Sequence, residues 1–175
     1  MKGATKRSMK KVTPVVKKKS ASKPKVSVAA QVQKFNSQPY AMREMKEKAL
    51  RKFLKAKGFA QIGAGCTRVT YGSPECDYVI KMGSPFINLR EVLFAKRPTN
   101  GIKVAKCSLQ FMKGVPVVKM EKVKVLITPL TYGSDASEKI IRKLSPKHPW
   151  IGRIDCNQIG KTKDGRIVAF DVGNF

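Results

Sequence analysis

Acidic side chains are scarce. The first one in this 175-residue chain is Glu44, and the whole chain holds 11 acids against 37 lysines and arginines. The resulting formal net charge of +26 favours polyanionic partners and says nothing about fold. Histidine is almost absent: His148 stands alone, which argues against any mechanism that needs several imidazoles. The four cysteines, Cys66, Cys76, Cys107 and Cys156, form no CxxC pair and no Cys/His cluster with zinc spacing. They read as reduced thiols of a cytoplasmic protein. No apolar run approaches the roughly 18–20 residues of a membrane span, so no membrane partner is expected. The N-terminus lacks the apolar core of a secretory signal. Its basic, serine-containing composition is that of a mitochondrial presequence, but it carries mostly Lys rather than Arg, keeps no amphipathic period and contains Pro14 and Pro24.

Three segments follow from what is present. Residues 1–39 are rich in Lys, Ser, Pro and Val and keep no regular period, so they cannot bury enough apolar surface to offset their ordering entropy. They read as a disordered basic arm that contacts an acidic partner, nucleic acid or a protein. Residues 40–57 read as a basic amphipathic helix, about Tyr40 to Ala56. Met42, Met45, Ala49 and Phe53 form its apolar stripe, docked on its own domain, and Gly58 ends it. Residues 58–175 read as an α+β domain. "FAQIGAGCTRVTYG" and "DYVIKMG" are strand-like and are separated by a turn. "NLREVLFAKR" is a helix stopped by Pro98, and "KCSLQFMKG" and "VPVVKMEKVKVLI" are two further strands. A helix over about Ser134 to Leu144 opens on Ser134-Asp135, and a hairpin turns at "TKDGR". Trp150 reads as a packing anchor, and Arg68, Lys103, Lys106 and Lys113 as basic surface.

Four pieces of this domain carry chemistry. Gly63 and Gly65, between two strands, allow backbone N–H groups to approach a phosphate closely. Lys81, in period with Val79, points inward, and an inward lysine needs an anionic partner. Glu91, on the following helix, is placed to be that partner. Asp171 ends an apolar strand, where a carboxylate can coordinate magnesium.

In this order, the glycine loop, strand lysine, helix glutamate and Asp-x-Gly resemble the protein-kinase-like fold in the reduced form of bacteriophage kinase-like proteins. The resemblance covers about Phe59 to Phe175. It implies an N-lobe, an antiparallel sheet with one helix, followed by a truncated C-lobe after the basic arm. The ending "QIGKTKDGRIVAFDVG" resembles that group's closing hairpin, with Gln158 at the position of a metal-binding Asn. The resemblance implies ATP and Mg2+ as cofactors, with Gly63, Gly65 and Lys81 on the nucleotide, Glu91 orienting Lys81, and Asp171 and Gln158 on the metal.

The family's catalytic Asp falls on Arg153, which cannot accept a proton. Asp155, two residues on, is either a displaced base or a brace for the loop, and Asn157 offers an amide in a shifted register. Three functions are therefore expected: a degenerate kinase-like protein that binds a host or viral partner, an active minimal Ser/Thr kinase, or a nucleic-acid-binding, virion-associated basic protein.

Overall fold

A computed structural model of the chain describes residues 26–127, 133–154 and 158–172. The described part is α+β, with four α-helices and two antiparallel sheets. Helix α1 spans Val28–Asn36 and α2 spans Tyr40–Ala56. Strands β1 (Ala60–Ala64), β2 (Arg68–Gly72) and β3 (Tyr78–Gly83) lead into helix α3 (Pro85–Lys96). Strands β4 (Cys107–Met112), β5 (Val115–Glu121) and β6 (Val123–Ile127) follow. Helix α4 (Asp135–Leu144), a 3-10 turn at Pro149–Arg153, and strands β7 (Ile159–Thr162) and β8 (Ile167–Ala169) complete the order. The larger sheet runs β1-β2-β3-β5-β4 and the smaller β6-β7-β8.

The expected single strand over "VPVVKMEKVKVLI" is two strands. Lys122 lies between them, with its backbone N–H donating to the Asp77 carbonyl at 2.7 Å. The chain thereby crosses from one sheet to the other at residue 122.

Strand alternation sorts the larger sheet into two faces. Tyr71, Ile80, Met82, Val115 and Val117 pack beneath the first two helices, against Phe35, Leu50 and Leu54. On the opposite face, Val79, Val118 and Met120 meet Val92 of α3 and Val168 of β8. The smaller sheet has its own core, in which Ile127, Ile159 and Ala169 surround Trp150 and Ile151. Trp150 is thus the packing anchor expected of it.

Two expectations about the N-terminal part need correction. The disordered arm expected over residues 1–39 includes a helix, Val28–Asn36, N-capped by Ser27, whose hydroxyl accepts from the Ala30 N–H at 3.2 Å. Val32 and Phe35, three apart on one face, are both buried, so burial supplies what the weak local period did not suggest. Residues 1–25, the rest of the proposed arm, lie outside the described residues. Helix α2 has the expected bounds, but of the expected stripe only Phe53 packs half-buried against the core. Leu50 and Leu54 are enclosed, whereas Met42 and Met45 are exposed. The stripe is rotated because leucines four apart at the C-terminal end meet the sheet, while the methionines lie on its free side.

Helix α3 starts one turn earlier than expected. Ser84 caps it and Pro85 occupies the first turn, where a missing N–H costs nothing. Asn88 on this helix donates to the Pro116 carbonyl at 3.0 Å in the interior, which ties α3 to β5. Glu91, one turn on, is thereby carried into the space between the sheets.

Replacing Phe35 by Ala is expected to cost about 3–5 kcal/mol, as for other buried aromatic truncations. Met45→Ala, at 64% exposure, is expected to stay within about 0.5 kcal/mol of the parent. Urea denaturation of both variants checks that α1 belongs to the folded unit. Equal stabilities would show that it does not.

Candidate functional site

Lys81 sits on β3, opposite Thr70 of β2 and Val118 of β5, on the sheet face that looks toward α3 and the smaller sheet. Its ammonium donates to Glu91 Oε1 at 2.7 Å and reaches Asp171 Oδ1 at 3.4 Å, across 90 positions of sequence. The backbone N–H of Val172 donates to the same Glu91 oxygen at 3.2 Å. The structure therefore brings together Lys81, Glu91 and Asp171.

It also brings in a residue that the sequence reading placed on the surface. Arg68 is 7% exposed, and its guanidinium pairs with Glu91 Oε2 and with Asp171 Oδ1. Arg68 and Lys81 share one face because their strands run side by side, with Arg68 opposite Gly83 and Thr70 opposite Lys81. The close approach depends on Gly83, whose φ is +151°; a Cβ there would lie 2.2 Å from the Thr67 carbonyl oxygen. A signal for Arg68 existed in the sequence: Val69 and Tyr71 point to one side of β2, so Arg68 and Thr70 point to the other. Alternation alone left open whether that other side was covered.

The four charges form a closed arrangement in which each carboxylate touches both cations. Glu91 is completely buried, and such a group is tolerated only when its charge is matched. Burial lowers the Lys81 pKa from its ordinary 10.5 to about 8, with neighbouring Arg68 pushing the same way and Glu91 opposing. Cys107, on β4 nearby, is pushed up to about 12, chiefly by burial and then by the charge of Glu91. It is no nucleophile at neutral pH.

Asp171 adopts a left-handed backbone, φ +63°, which costs a non-glycine residue roughly 1–2 kcal/mol. Four contacts hold the strained segment: Arg68, Lys81 and Gln158 on its carboxylate, and Glu91 on the next N–H. In the amide orientation that satisfies its neighbours, Gln158 donates to Asp171 Oδ2 at 3.2 Å and to the Phe170 carbonyl at 3.0 Å.

Among the described residues, the expected magnesium ligands Asp171 and Gln158 already have protein partners. With its NH2 turned toward Asp171, Gln158 satisfies both groups without a metal; the opposite orientation presents its Oε1 there instead. Asp171 Oδ1 already faces two positive charges. No three His, Cys, Asp or Glu side chains converge on a metal-sized space among the described residues. Asp155 and Asn157, the expected displaced base and alternative amide, lie outside the described residues.

A cleft of about 220 Å3 opens between the two sheets beside this cluster. Ile62 and Gly63 of β1 border it on one side and Val125 of β6 and Phe170 on the other, with Lys81 in its lining. Gly63 thus lies at the same opening as Lys81. Gly65 lies in the β1–β2 turn, where its N–H donates to the Arg68 carbonyl at 2.8 Å. Neither glycine has a positive φ, and a Cβ on either would meet its nearest neighbour only at 3.9 Å. Packing does not require glycine at either position. A wider groove, about 550 Å3, lies elsewhere, lined by Lys122, Lys124, Lys161 and Lys163 together with Glu75 and Asp77.

Compared with known proteins, the chain matches no family model and no curated relative.

Glu91→Gln leaves two buried cations sharing one exposed-side carboxylate and is expected to cost about 3–5 kcal/mol in urea denaturation. The pH dependence carries a sign. With its folded pKa below the unfolded one, Lys81 contributes stability that is fully present above 10.5 and lost as the pH falls through about 8. Cys107 acts oppositely between about 9 and 12, so the comparison belongs in a Cys107→Ala background. There, stability should rise from pH 7.5 to 9.5 more steeply with Lys81 than with Lys81→Met. Parallel slopes would overturn the assignment.

Proposed function

We propose that this chain is a reduced protein-kinase-like domain, an N-lobe-like sheet with α3 joined to a shortened second lobe, whose inter-sheet cleft binds ATP. It works by binding rather than by efficient phosphoryl transfer, and its basic surface engages an acidic partner. One observation carries the reading: Lys81, Glu91 and Asp171, far apart in sequence, converge beside a cleft bordered by Gly63. The glycines strengthen it. With no packing reason for glycine at 63 or 65, a close ligand approach explains their use. In this reading Lys81 meets phosphate oxygens, Glu91 holds Lys81 in place, and the backbone around Gly63 and Gly65 covers the nucleotide.

Efficient transfer is disfavoured because the resemblance puts Arg153 at the position of the kinase base, where a guanidinium, here donating to the Asn100 carbonyl at 3.5 Å, is no proton acceptor. Positioning and electrostatics supply most of the rate in phosphoryl transfer, so a slow residual reaction is compatible with this arrangement.

Nucleic-acid binding is favoured by a separate observation. Lys124 and Lys161 stand directly opposite each other on β6 and β7, and like charges so placed are destabilising unless an anion lies between them. The wider groove sets four lysines against two acids, a balance suited to a phosphate backbone.

Thermal unfolding of the full chain with ATP tests the first reading. Ligand at a hundred times its dissociation constant should stabilise by about 2.7 kcal/mol, and Lys81→Ala should abolish the gain. A well-folded parent that shows no shift at millimolar ATP would overturn it. For the groove, oligonucleotide binding should weaken steeply with salt. The double variant Lys124→Gln, Lys161→Gln should flatten the log–log slope by roughly 1.4–1.8, two phosphate contacts' worth. An unchanged slope would exclude these lysines from the interface.

A further inference from the structure

We infer that Arg68 takes over the charge-compensating role of a divalent cation, so that the cleft binds its nucleotide without metal. The inference rests on the ATP-binding reading above and specifies how that site works. A carboxylate such as Asp171, beside a phosphate site, must have its negative charge offset or it repels the ligand. A divalent ion does this when it bridges carboxylate and phosphate oxygens. Here the offset is built into the chain. The Arg68 guanidinium contacts Asp171 Oδ1 and Glu91 Oε2, and Lys81 contacts the other Glu91 oxygen and Asp171 Oδ1. Two cations balance two carboxylates with no ion needed.

The arrangement is permanent. Arginine does not deprotonate in proteins, and its planar fork suits two carboxylates at once where a lysine would not. The fold reserves space for it: a Cβ on Gly83 would lie 2.8 Å from Arg68 Cα and 3.0 Å from Arg68 Cγ. Gln158 completes the substitution by offering Asp171 an N–H donor in place of a metal-coordinating oxygen. A metal ion held through Asp171 Oδ1 would have to displace the buried Arg68 guanidinium from that oxygen. Free nucleotide has only to meet Lys81 and the backbone near Gly63.

Isothermal titration calorimetry of the full chain with ATP, in EDTA and in excess magnesium chloride, tests this. The expected result is an affinity in EDTA equal to that in magnesium within threefold, or tighter. Asp171→Asn should tighten binding in EDTA at least threefold, because it removes a negative charge facing the phosphates and frees Arg68 and Lys81. Arg68→Gln should do the reverse: its uncompensated Asp171 should make binding at least tenfold tighter in magnesium than in EDTA. Should Arg68→Gln fail to fold, the parent and Asp171→Asn titrations decide alone. Parent binding that is tenfold weaker in EDTA, or Asp171→Asn binding that weakens, overturns the metal-free inference while leaving the cleft as an ATP site. No heat in either buffer with folded protein overturns the ATP-binding reading, and the inference falls with it.

Discussion

The buried carboxylate of Glu91 is the constraint around which this molecule is organised. An ion carried to zero exposure costs several kcal/mol unless its charge is matched and its lone pairs are filled. Three elements meet that demand: β2 with Arg68, β3 with Lys81, and the segment after β8 with the Val172 N–H. The larger sheet, α3 and the C-terminal hairpin are therefore tied by one group. Asn88 and Val92 of the same helix supply the hydrogen bond and apolar contact that fix its depth.

That coupling explains why the cleft lies where it does. The larger sheet uses one face for an apolar core beneath α1 and α2 and the other for the charged cluster and the second sheet. Had both faces been apolar, the two sheets would close on each other at a spacing of about 10 Å, with no polar interior. Charge between them keeps a polar region inside, and Phe170 and Val125 give the opening an apolar wall. Such a combination, an apolar wall with few convergent polar groups, is the usual make-up of a ligand site.

The chain's basicity plays a separate part. Lysines on the smaller sheet and along the crossing at Lys122 have few acidic neighbours, and the described ion pairs outside the cluster are mostly local, such as Lys48 with Glu44 and Arg166 with Asp164, with Arg166 also reaching Glu121 of β5 at 2.7 Å. Surface pairs of this kind contribute little to stability. Stability therefore rests on the apolar cores rather than on the surface charge.

By itself, the sequence determined most of the elements and three of the four charged residues. Alternating valines and aromatics announce the strands, Ser134 and the "TKDGR" turn mark boundaries, and an inward lysine in period with Val79 demands a carboxylate that Glu91 is near enough to supply. These signals are local, or rest on a single burial rule, and so survive without coordinates. Tertiary structure decided the rest. Which face of α2 is buried, whether Val32 and Phe35 can hold a short helix, and where the strand after Val115 changes sheets depend on surfaces far away in sequence. Arg68 shows the reason most clearly. Periodicity states that it opposes Val69, but only the second sheet and α3, folded over that face, turn an exposed arginine into a buried counterion and change the chemistry of Asp171.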